Sequence, residues 1–356
     1  MLKDIPVIIP SLNPDDKLLR VVRGLLDTGF TDILLVNDGS DAAHAAPFAE
    51  AAALPGVTVL HHEVNRGKGR ALKTAFAWVL EHRPSCRGVV TVDGDGQHAA
   101  ADVRELACAL QADNSRVYLG VRDFDDPQVP ARSRFGNKTT SLVFRLLCGL
   151  HIQDTQTGLR GIPRQYLSSF LQVAGERFEY ETNMLLAFRE QDIPFAQIAI
   201  ETVYINENET SHFRPVRDSV RIYRLILGHF LRFAGSGLLS FLVDILLFWV
   251  FGRFVFEGLG DESRILGATA LARVLSSLLN FAVNRTAVFH SSRPLLSTLW
   301  RYYTLCAVQM LASAGLVTCL YWLLPLPDTL IKCVVDGLLF LISFRIQQRF
   351  VFGKGK

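Results

Sequence analysis

Four apolar stretches, near residues 233–256, 265–289, 302–324 and 330–348, constrain this 356-residue chain more than any other feature. Crossing a bilayer as a helix takes about 20 mostly apolar residues. The first three stretches approach or exceed that length, and the fourth is interrupted by Lys332 and Asp336. Four crossings return the C-terminus to the side of the N-terminus, and the charges fit this arrangement. The segments on one side carry Arg221, Arg224 and Arg232, then Arg285, Arg293 and Arg301, then Arg345, Arg349, Lys354 and Lys356. The loop EGLGDESR on the other side is acid-rich. Cationic residues collect on the cytoplasmic side of membrane proteins. The expectation is a multi-pass protein of the cytoplasmic (inner) membrane with both termini cytoplasmic. The spans hold Asp244, Arg273 and Asp336, which need partners or a polar path at depth. The tail also repeats itself: NFAVNRTAVF (280–289) resembles SFRIQQRFVF (343–352), each closing a hairpin of two spans.

The charge balance divides the chain at Phe230. From there on, 12 Lys/Arg face 6 Asp/Glu, whereas the preceding residues carry 25 and 28. The mildly acidic first part excludes nucleic-acid binding driven by bulk charge. Just before the first span, residues 213–229 are amphipathic. Val216, Val220, Tyr223 and Leu227 form one stripe, with Arg217, Arg221 and Arg224 off it, the pattern of a helix lying at a membrane surface. The six cysteines form no CxxC pair and read as small buried residues in a reducing setting. The N-terminal apolar run stops at a Pro-Ser-Leu-Asn-Pro turn and is not a signal peptide.

Residues 1–200 alternate β-branched runs with helical periodicity. Strands are expected at 5–9, 32–36, 57–61, 88–92 and 116–120, and helices at about 15–27, 44–53, 68–82 and 101–111. That alternation predicts βαβ units and a mainly parallel sheet. Such sheets bind ligands beyond the carboxyl ends of their strands, where polar clusters fall here. In Asp93-Gly94-Asp95-Gly96-Gln97-His98 two carboxylates at a strand end can hold a divalent cation shared with a diphosphate. Asp38 in VNDGS can accept hydrogen bonds from a base or ribose; an Asp-Gly turn is the plainer alternative for both segments. Asn65-Arg66-Gly67-Lys68-Gly69-Arg70 opens a helix, and glycines, cations and a helix N-terminus suit phosphate.

Taken together, PSLN, VNDGS, NRGKGRA and DGDGQH resemble glycosyltransferase family 2, inverting enzymes of GT-A fold. DTQTGLRG (154–161), RFEYETNML (177–185) and SHFRPVRDS (211–219) resemble its dolichyl-phosphate mannose synthase and polyprenyl-phosphate glycosyltransferase branch. The tail resembles the GtrA-like membrane family. The resemblance implies an α/β GT-A domain over 1–212, a juxtamembrane helix over 213–229, and an all-α four-span domain over 230–356. It implies that Asp93, Asp95 and Gln97 bind Mg or Mn and the diphosphate, with Gly94 between them. Pro10, Leu12, Val36 and Asp38 would form the nucleotide pocket, and Lys68 and Arg70 the basic segment. Arg122, Arg134 and Arg214 would hold donor or acceptor phosphates. Asp154 becomes a candidate active-site carboxylate. A polyprenyl phosphate is already anionic and needs no general base, so Asp154 is expected to orient groups rather than remove a proton.

The resulting expectation is transfer of a sugar from a nucleotide-sugar donor to a polyprenyl (undecaprenyl) phosphate, giving a lipid-monophosphate sugar for the cell envelope. The partners are donor, acceptor and bilayer, without nucleic acid, and a homo-oligomer is compatible with this reading. The sugar and the nucleotide stay open. Two departures stand out: Pro14 stands where the family often has Glu, which leaves the base contact and the donor open, and the motif reads DGD where DAD is commoner, which preserves both carboxylates. One rival is a polysaccharide synthase, which usually carries a QxxRW motif; Gln347-Gln348-Arg349-Phe350 does not match it. The other is a lipid-sugar translocator whose first domain only senses nucleotide sugar.

Overall fold

The computed structural model describes residues 2–126, 129, 131–201, 215–324 and 326–353, without the side chains of 132, 215–226 and 229. The chain divides into two compact units, Met1–Ile222 and Tyr223–Lys356.

The first unit is built on a seven-stranded sheet of order β3-β2-β1-β4-β6-β5-β7. Its strands are β1 (Val7–Ser11), β2 (Ile33–Asn37), β3 (Val57–His61), β4 (Gly88–Thr91), β5 (Val117–Arg122), β6 (Arg160–Pro163) and β7 (Phe195–Ile200). Helices α1 (Lys17–Asp27), α2 (Ala45–Ala52), α3 (Lys68–His82), α4 (Ala100–Ala112), α5 (Ala131–Val143), α6 (Arg164–Leu171) and α7 (Glu179–Glu190) connect them. The five expected strands and four expected helices all form, within about two residues of their expected ends. All pairings are parallel except those of β6, which runs antiparallel to both β4 and β5. The sequence reading named neither β6 nor β7: RGIP is only four residues long, and FAQIAI reads equally as either element. Val7, Ile8, Ile9, Ile33, Leu34, Leu35, Val89 and Val90 are fully buried, which explains why these strands read as continuous apolar runs. Because β6 is reversed, its start lies beside the carboxyl ends of β4 and β5. The segment 154–160 therefore joins the loops that follow β1, β2, β4 and β5.

The second unit is helical. Helices α8 (Pro215–Val250), α9 (Asp261–Val283), α10 (Leu295–Leu323) and α11 (Asp328–Ile346) occupy it, α8 beginning in the first unit. Among the described residues, three stretches are long and apolar enough to cross a membrane: Phe230–Val255, Asp261–Val288 and Leu295–Leu323. This agrees with the sequence, which sets the fourth stretch apart as the interrupted one. The fourth is a helix, but of 19 residues, and it carries an exposed Lys332–Asp336 ion pair. Of the expected amphipathic pattern, the side chains of Val216, Val220 and Tyr223 and of Arg217, Arg221 and Arg224 lie outside the described ones.

The two repeated segments have equivalent structures. Each ends its helix in a π-helical turn, Asn284–Val288 and Gln347–Val351. Asn284 Nδ2 donates to Asn280 Oδ1 at 2.9 Å, and Gln347 Nε2 donates to Ser343 Oγ at 3.1 Å. The repeats meet where Asn284 Nδ2 reaches Gln347 Oε1 at 3.4 Å, 63 residues on, and where Phe289 stacks on Phe352 with centroids 5.2 Å apart. Ser236 and Gln309 extend this polar chain into the other two helices. The ionisable groups also find partners: Asp244 accepts from Ser276 Oγ and pairs with Arg273, and Asp336 pairs with Lys332 and Ser313. Polar groups in membrane helices stay paired because hydrocarbon offers no alternative partner.

Candidate active site

The loops after β1 and β2 are locked together. Asn13, at φ 47°, donates its N–H to Ser40 Oγ at 2.8 Å and accepts from the Asp41 N–H at 3.0 Å. Pro10 and Val36 are register partners in this pair of strands. Val36 is fully buried, so it forms the floor beneath the loops rather than an accessible wall, while Leu12 is half-buried at the strand end. Asp38 is buried, and its carboxylate faces inward. Oδ1 accepts from His62 Nδ1 at 2.7 Å and from the Arg66 N–H at 3.0 Å, and Oδ2 accepts from the Gly67 N–H at 2.7 Å. The structure therefore assigns Asp38 to clamping the 65–67 turn. Its carboxylate oxygens are engaged by the protein instead of being presented to a base or ribose.

The basic segment is likewise engaged. Lys68 bridges Asp93 Oδ1 at 2.7 Å and Glu181 Oε2 at 2.9 Å. Arg70 is paired with Glu176 through both ends of its guanidinium, and Lys73 reaches the same carboxylate at 3.3 Å. The Arg70 N–H, in the first turn of α3, donates to the Glu176 carbonyl at 2.9 Å. The glycines are explained by the same contact. Gly67 has φ 102°, and a Cβ there would lie 2.5 Å from the Glu176 carbonyl oxygen. A Cβ on Gly69 would lie 2.5 Å from Tyr180 Cβ. Close packing against 176–180, not a free phosphate cradle, accounts for the two glycines.

Asp93 and Asp95 lie just past the end of β4. Burial alone would raise the Asp93 pKa, but Lys68 and His98 outweigh it and hold the carboxyl well below the usual range. Burial works against the charge on Lys68 too, and Asp93 with Glu181 reverses that and pushes its pKa upward. Asp95 moves the other way: burial and the charge of Asp93 push it up, against a hydrogen bond from the Gln97 N–H at 3.0 Å. The loop before β6 closes over Asp93. Thr91 Oγ1 donates to the Gly158 carbonyl at 2.8 Å, and any side chain at 158 would collide with the Asp93 carboxylate. Among the described residues no three His, Cys, Asp or Glu side chains are grouped to hold a metal ion. The two carboxylates nevertheless suit a hard cation that takes its other oxygens from a diphosphate and water. The Asp95 carboxylate, destabilised by its acidic neighbour, is the group such a charge would relieve.

Arg122 and Asp154, expected separately, are brought together. Arg122 donates from Nε to Asp154 Oδ2 at 2.7 Å and from a terminal nitrogen to Oδ1 at 3.2 Å, while Asp154 is fully buried. Asp154 thus orients an arginine. Arg134, on α5, donates to the Asp126 carbonyl at 2.8 Å and leaves Nε buried without a hydrogen bond. Arg214 lies outside the described residues. The sequence singled out neither His62 nor Glu176, and gave no role to His98, Arg160 or Glu181, although these lie within its motifs. Arg160 is 1% exposed, donates to the Thr157 and Glu181 carbonyls, and has one terminal nitrogen with no hydrogen bond. Burial lowers its pKa. For Glu176 and Glu181 the signal was charge complementarity with Lys68, Arg70 and Lys73, more than 100 residues away, which linear sequence does not pair.

With this geometry in place, comparison with known proteins gives a consistent answer. Residues 7–170 match the model of Glycosyl transferase family 2, and residues 232–352 that of the GtrA/DPMS transmembrane domain. The UDP-N-acetylglucosamine–dolichyl-phosphate N-acetylglucosaminyltransferase of Methanococcus voltae is 26% identical over 57% of this chain and 86% of its own. The undecaprenyl-phosphate mannosyltransferase of Micrococcus luteus is 28% identical over 43% of this chain and 63% of its own. Glucosyl-3-phosphoglycerate synthase from Mycobacterium tuberculosis aligns at 16% identity over 63% of this chain and 76% of that one, with a TM-score of 0.48. The chain is a membrane glycosyltransferase that joins a Glycosyl transferase family 2 domain to a GtrA/DPMS transmembrane domain.

Proposed function

We propose that the protein transfers a sugar, with inversion, from a nucleoside-diphosphate sugar to a polyprenyl phosphate, forming a polyprenyl-monophosphate sugar. The observation that carries this reading is the acidic pair Asp93 and Asp95 at the end of β4, beside Lys68, in a chain that also has the GtrA/DPMS domain. The names of the Methanococcus and Micrococcus relatives, with dolichyl and undecaprenyl phosphate in them, support the acceptor class. A divalent cation, Mg or Mn, held by Asp93 and Asp95 would neutralise charge on the diphosphate.

The chain's own groups do the rest. Lys68 sits between Asp93 and Glu181 and supplies a fixed positive charge where the leaving diphosphate gathers negative charge. The acceptor phosphate oxygen attacks the anomeric carbon as the bond to the nucleoside diphosphate breaks. The acceptor is an anion, so no side chain has to remove a proton. Asp154 holds Arg122 in place, and Arg122, Arg134 and Arg214 are the cations assigned to phosphate oxygens. In this reading the termini are cytoplasmic and the membrane is the cytoplasmic one, following the arginine distribution.

The test uses the full chain in detergent with undecaprenyl phosphate and a panel of radiolabelled nucleotide sugars, the lipid product being identified by mass. One donor should yield a lipid-monophosphate sugar, and both EDTA and Asp95→Asn should abolish it. Undiminished transfer by Asp95→Asn, or no lipid product with any donor, would overturn the proposal.

A further inference from the structure

The polarity of α5 is inverted. Its inward side is polar: Asn137 is 1% exposed, and Thr140 is buried. Asn137 donates from Nδ2 to the Gln153 carbonyl and accepts at Oδ1 from the Thr155 N–H at 3.1 Å, while Ser141 Oγ donates to the Ile152 carbonyl at 2.7 Å. These bonds hold the segment 152–155, which carries Asp154. The outward side is apolar. Phe135 is 75% exposed and Leu142 51%, and Leu146, in the π-helical turn Phe144–Cys148 that continues the helix, is 48% exposed. Seven and then four residues separate the three, so they share one side of the helix. A surface helix of a soluble domain has the opposite arrangement, apolar residues inward and polar ones outward. Among the described residues of the first unit, the other exposed large apolar side chain is Val64. The three on α5 are therefore a stripe and not the single, scattered apolar residues that any surface shows.

Charge selects what covers this stripe. Residues 131–149 contain Arg132, Arg134, Lys138 and Arg145 and neither Asp nor Glu. Lys138 follows Phe135 by three residues, and Arg145 follows Leu142 by three; both are exposed, and Lys138 also pairs with Asp125 of the preceding loop. Cations beside apolar side chains on one exposed face fit a bilayer surface, where acyl chains take the apolar groups and headgroup phosphates take the cations. A second copy docking through the same face would set these cations against each other. The GtrA/DPMS domain and its apolar helices put the chain at a bilayer.

We propose that the outward face of α5 is an interfacial anchor that lays the first unit on a bilayer surface carrying anionic lipid. Phe135, Leu142 and Leu146 enter the acyl boundary, and Lys138 and Arg145 stay with the phosphates. The anchor does not depend on which sugar is transferred or on whether transfer occurs.

The experiment is spin labelling of the full chain in nanodiscs of phosphatidylcholine and phosphatidylglycerol. Cys108, Cys306, Cys319 and Cys333, which are not buried, are first changed to alanine. A single label is then placed through Phe135→Cys, Leu142→Cys or Leu146→Cys. Collisions with oxygen, which concentrates in acyl chains, are compared with collisions with a water-soluble nickel chelate. Leu311→Cys, at an exposed position of α10 inside a span, is the hydrocarbon reference, and Glu81→Cys, exposed on α3, is the aqueous one. All three α5 labels should meet oxygen more often than nickel, at a depth of about 5–10 Å in the headgroup–acyl boundary. Omitting phosphatidylglycerol should shift the ratio toward nickel, and Leu142→Glu/Leu146→Glu should return the label at position 135 to the aqueous ratio. Nickel contact equal to that of the aqueous reference would overturn the proposal. So would exclusion of both reagents, as for a face covered by protein, or spin–spin broadening between copies at all three positions. An unchanged ratio without phosphatidylglycerol, or a label at 135 that stays in lipid in the double glutamate protein, would also overturn it.

Discussion

Replacing Asp38 with alanine separates a clamp from a ligand contact. The carboxylate accepts three hydrogen bonds, from His62 Nδ1 and from the backbone N–H groups of Arg66 and Gly67. Alanine leaves three donors in a buried place with no acceptor. Each orphaned donor costs about 1–3 kcal/mol, and relaxation of the turn recovers part of that. The expected loss is therefore about 4 kcal/mol in the first unit. For a unit of this size each kcal/mol lowers the Tm by roughly 2–4 °C, so the transition should fall by about 10 °C. Asparagine keeps one acceptor oxygen but turns an amide against a donor, and should cost about half as much. The assay is thermal unfolding of the full chain in detergent, paired with hydrogen exchange of residues 62–74. Exchange should rise across the 65–67 turn and the start of α3. If Asp38→Ala shifts the transition by less than about 2 °C and leaves exchange unchanged while nucleotide binding disappears, the clamp is wrong. Asp38 would then be a direct nucleotide contact.

Other outcomes follow from the same contacts. Asp95 has a raised pKa, and its charged form is what a cation needs. Affinity for Mn2+ in the presence of a nucleoside diphosphate, read by calorimetry, should fall on acidification at a higher pH than an ordinary carboxylate near 3.9 would give. Asp93 has the opposite shift, so its pairing with Lys68 stabilises the fold fully above the unfolded carboxylate pKa, and that stability is lost progressively as pH falls from there through the depressed folded value. In wild type, stability should not fall on this account between pH 5 and about 8, which pH-dependent unfolding curves can check. Removing Arg122 leaves Asp154 as a fully buried unpaired carboxylate, and Arg122→Ala should destabilise by about 3–5 kcal/mol in denaturant unfolding. In the helical unit, Asn284→Ala breaks contacts to Ser236, Asn280 and Gln347, and should lower resistance to unfolding in SDS by about 1–2 kcal/mol.

The parts of the molecule with a local cause were readable from sequence. Val7 to Ile9 and Ile33 to Val36 are buried on both faces, so their apolar runs identified strands and their βα order identified the sheet. The clustering of motifs past strand ends followed from that topology. What sequence did not give were the partners. Lys68 and Arg70 have the composition of a phosphate site, yet the structure closes them on Glu176 and Glu181, contacts across more than 100 residues. Arg122 and Asp154 looked like two independent functional groups and are one ion pair. The reversed strand β6 was hidden because four residues, two of them Gly161 and Pro163, carry little periodic signal. The fourth helix shows the limit of composition: its apolar pattern was seen, but its 19 residues and its Lys332–Asp336 pair set it apart from the other three.

The bond between Asn284 and Gln347 carries a consequence for biosynthesis. Asn284 leaves the ribosome first, already able to meet Ser236 and Asn280 in the first hairpin. Its partner Gln347 is 63 residues behind, a delay of roughly 3–13 s at ordinary elongation rates. During that interval Asn284 has its partners Ser236 and Asn280, and Phe289 has Phe233, but the first hairpin still lacks its contacts to Gln347 and Phe352. The second hairpin, arriving with its matching π-turn and Phe352, is the template that completes it. The interface between the repeated segments therefore forms only once the second of them has been made. A stall between them leaves a half-protein whose unfilled seam is open to a neighbouring nascent chain or to quality-control proteases.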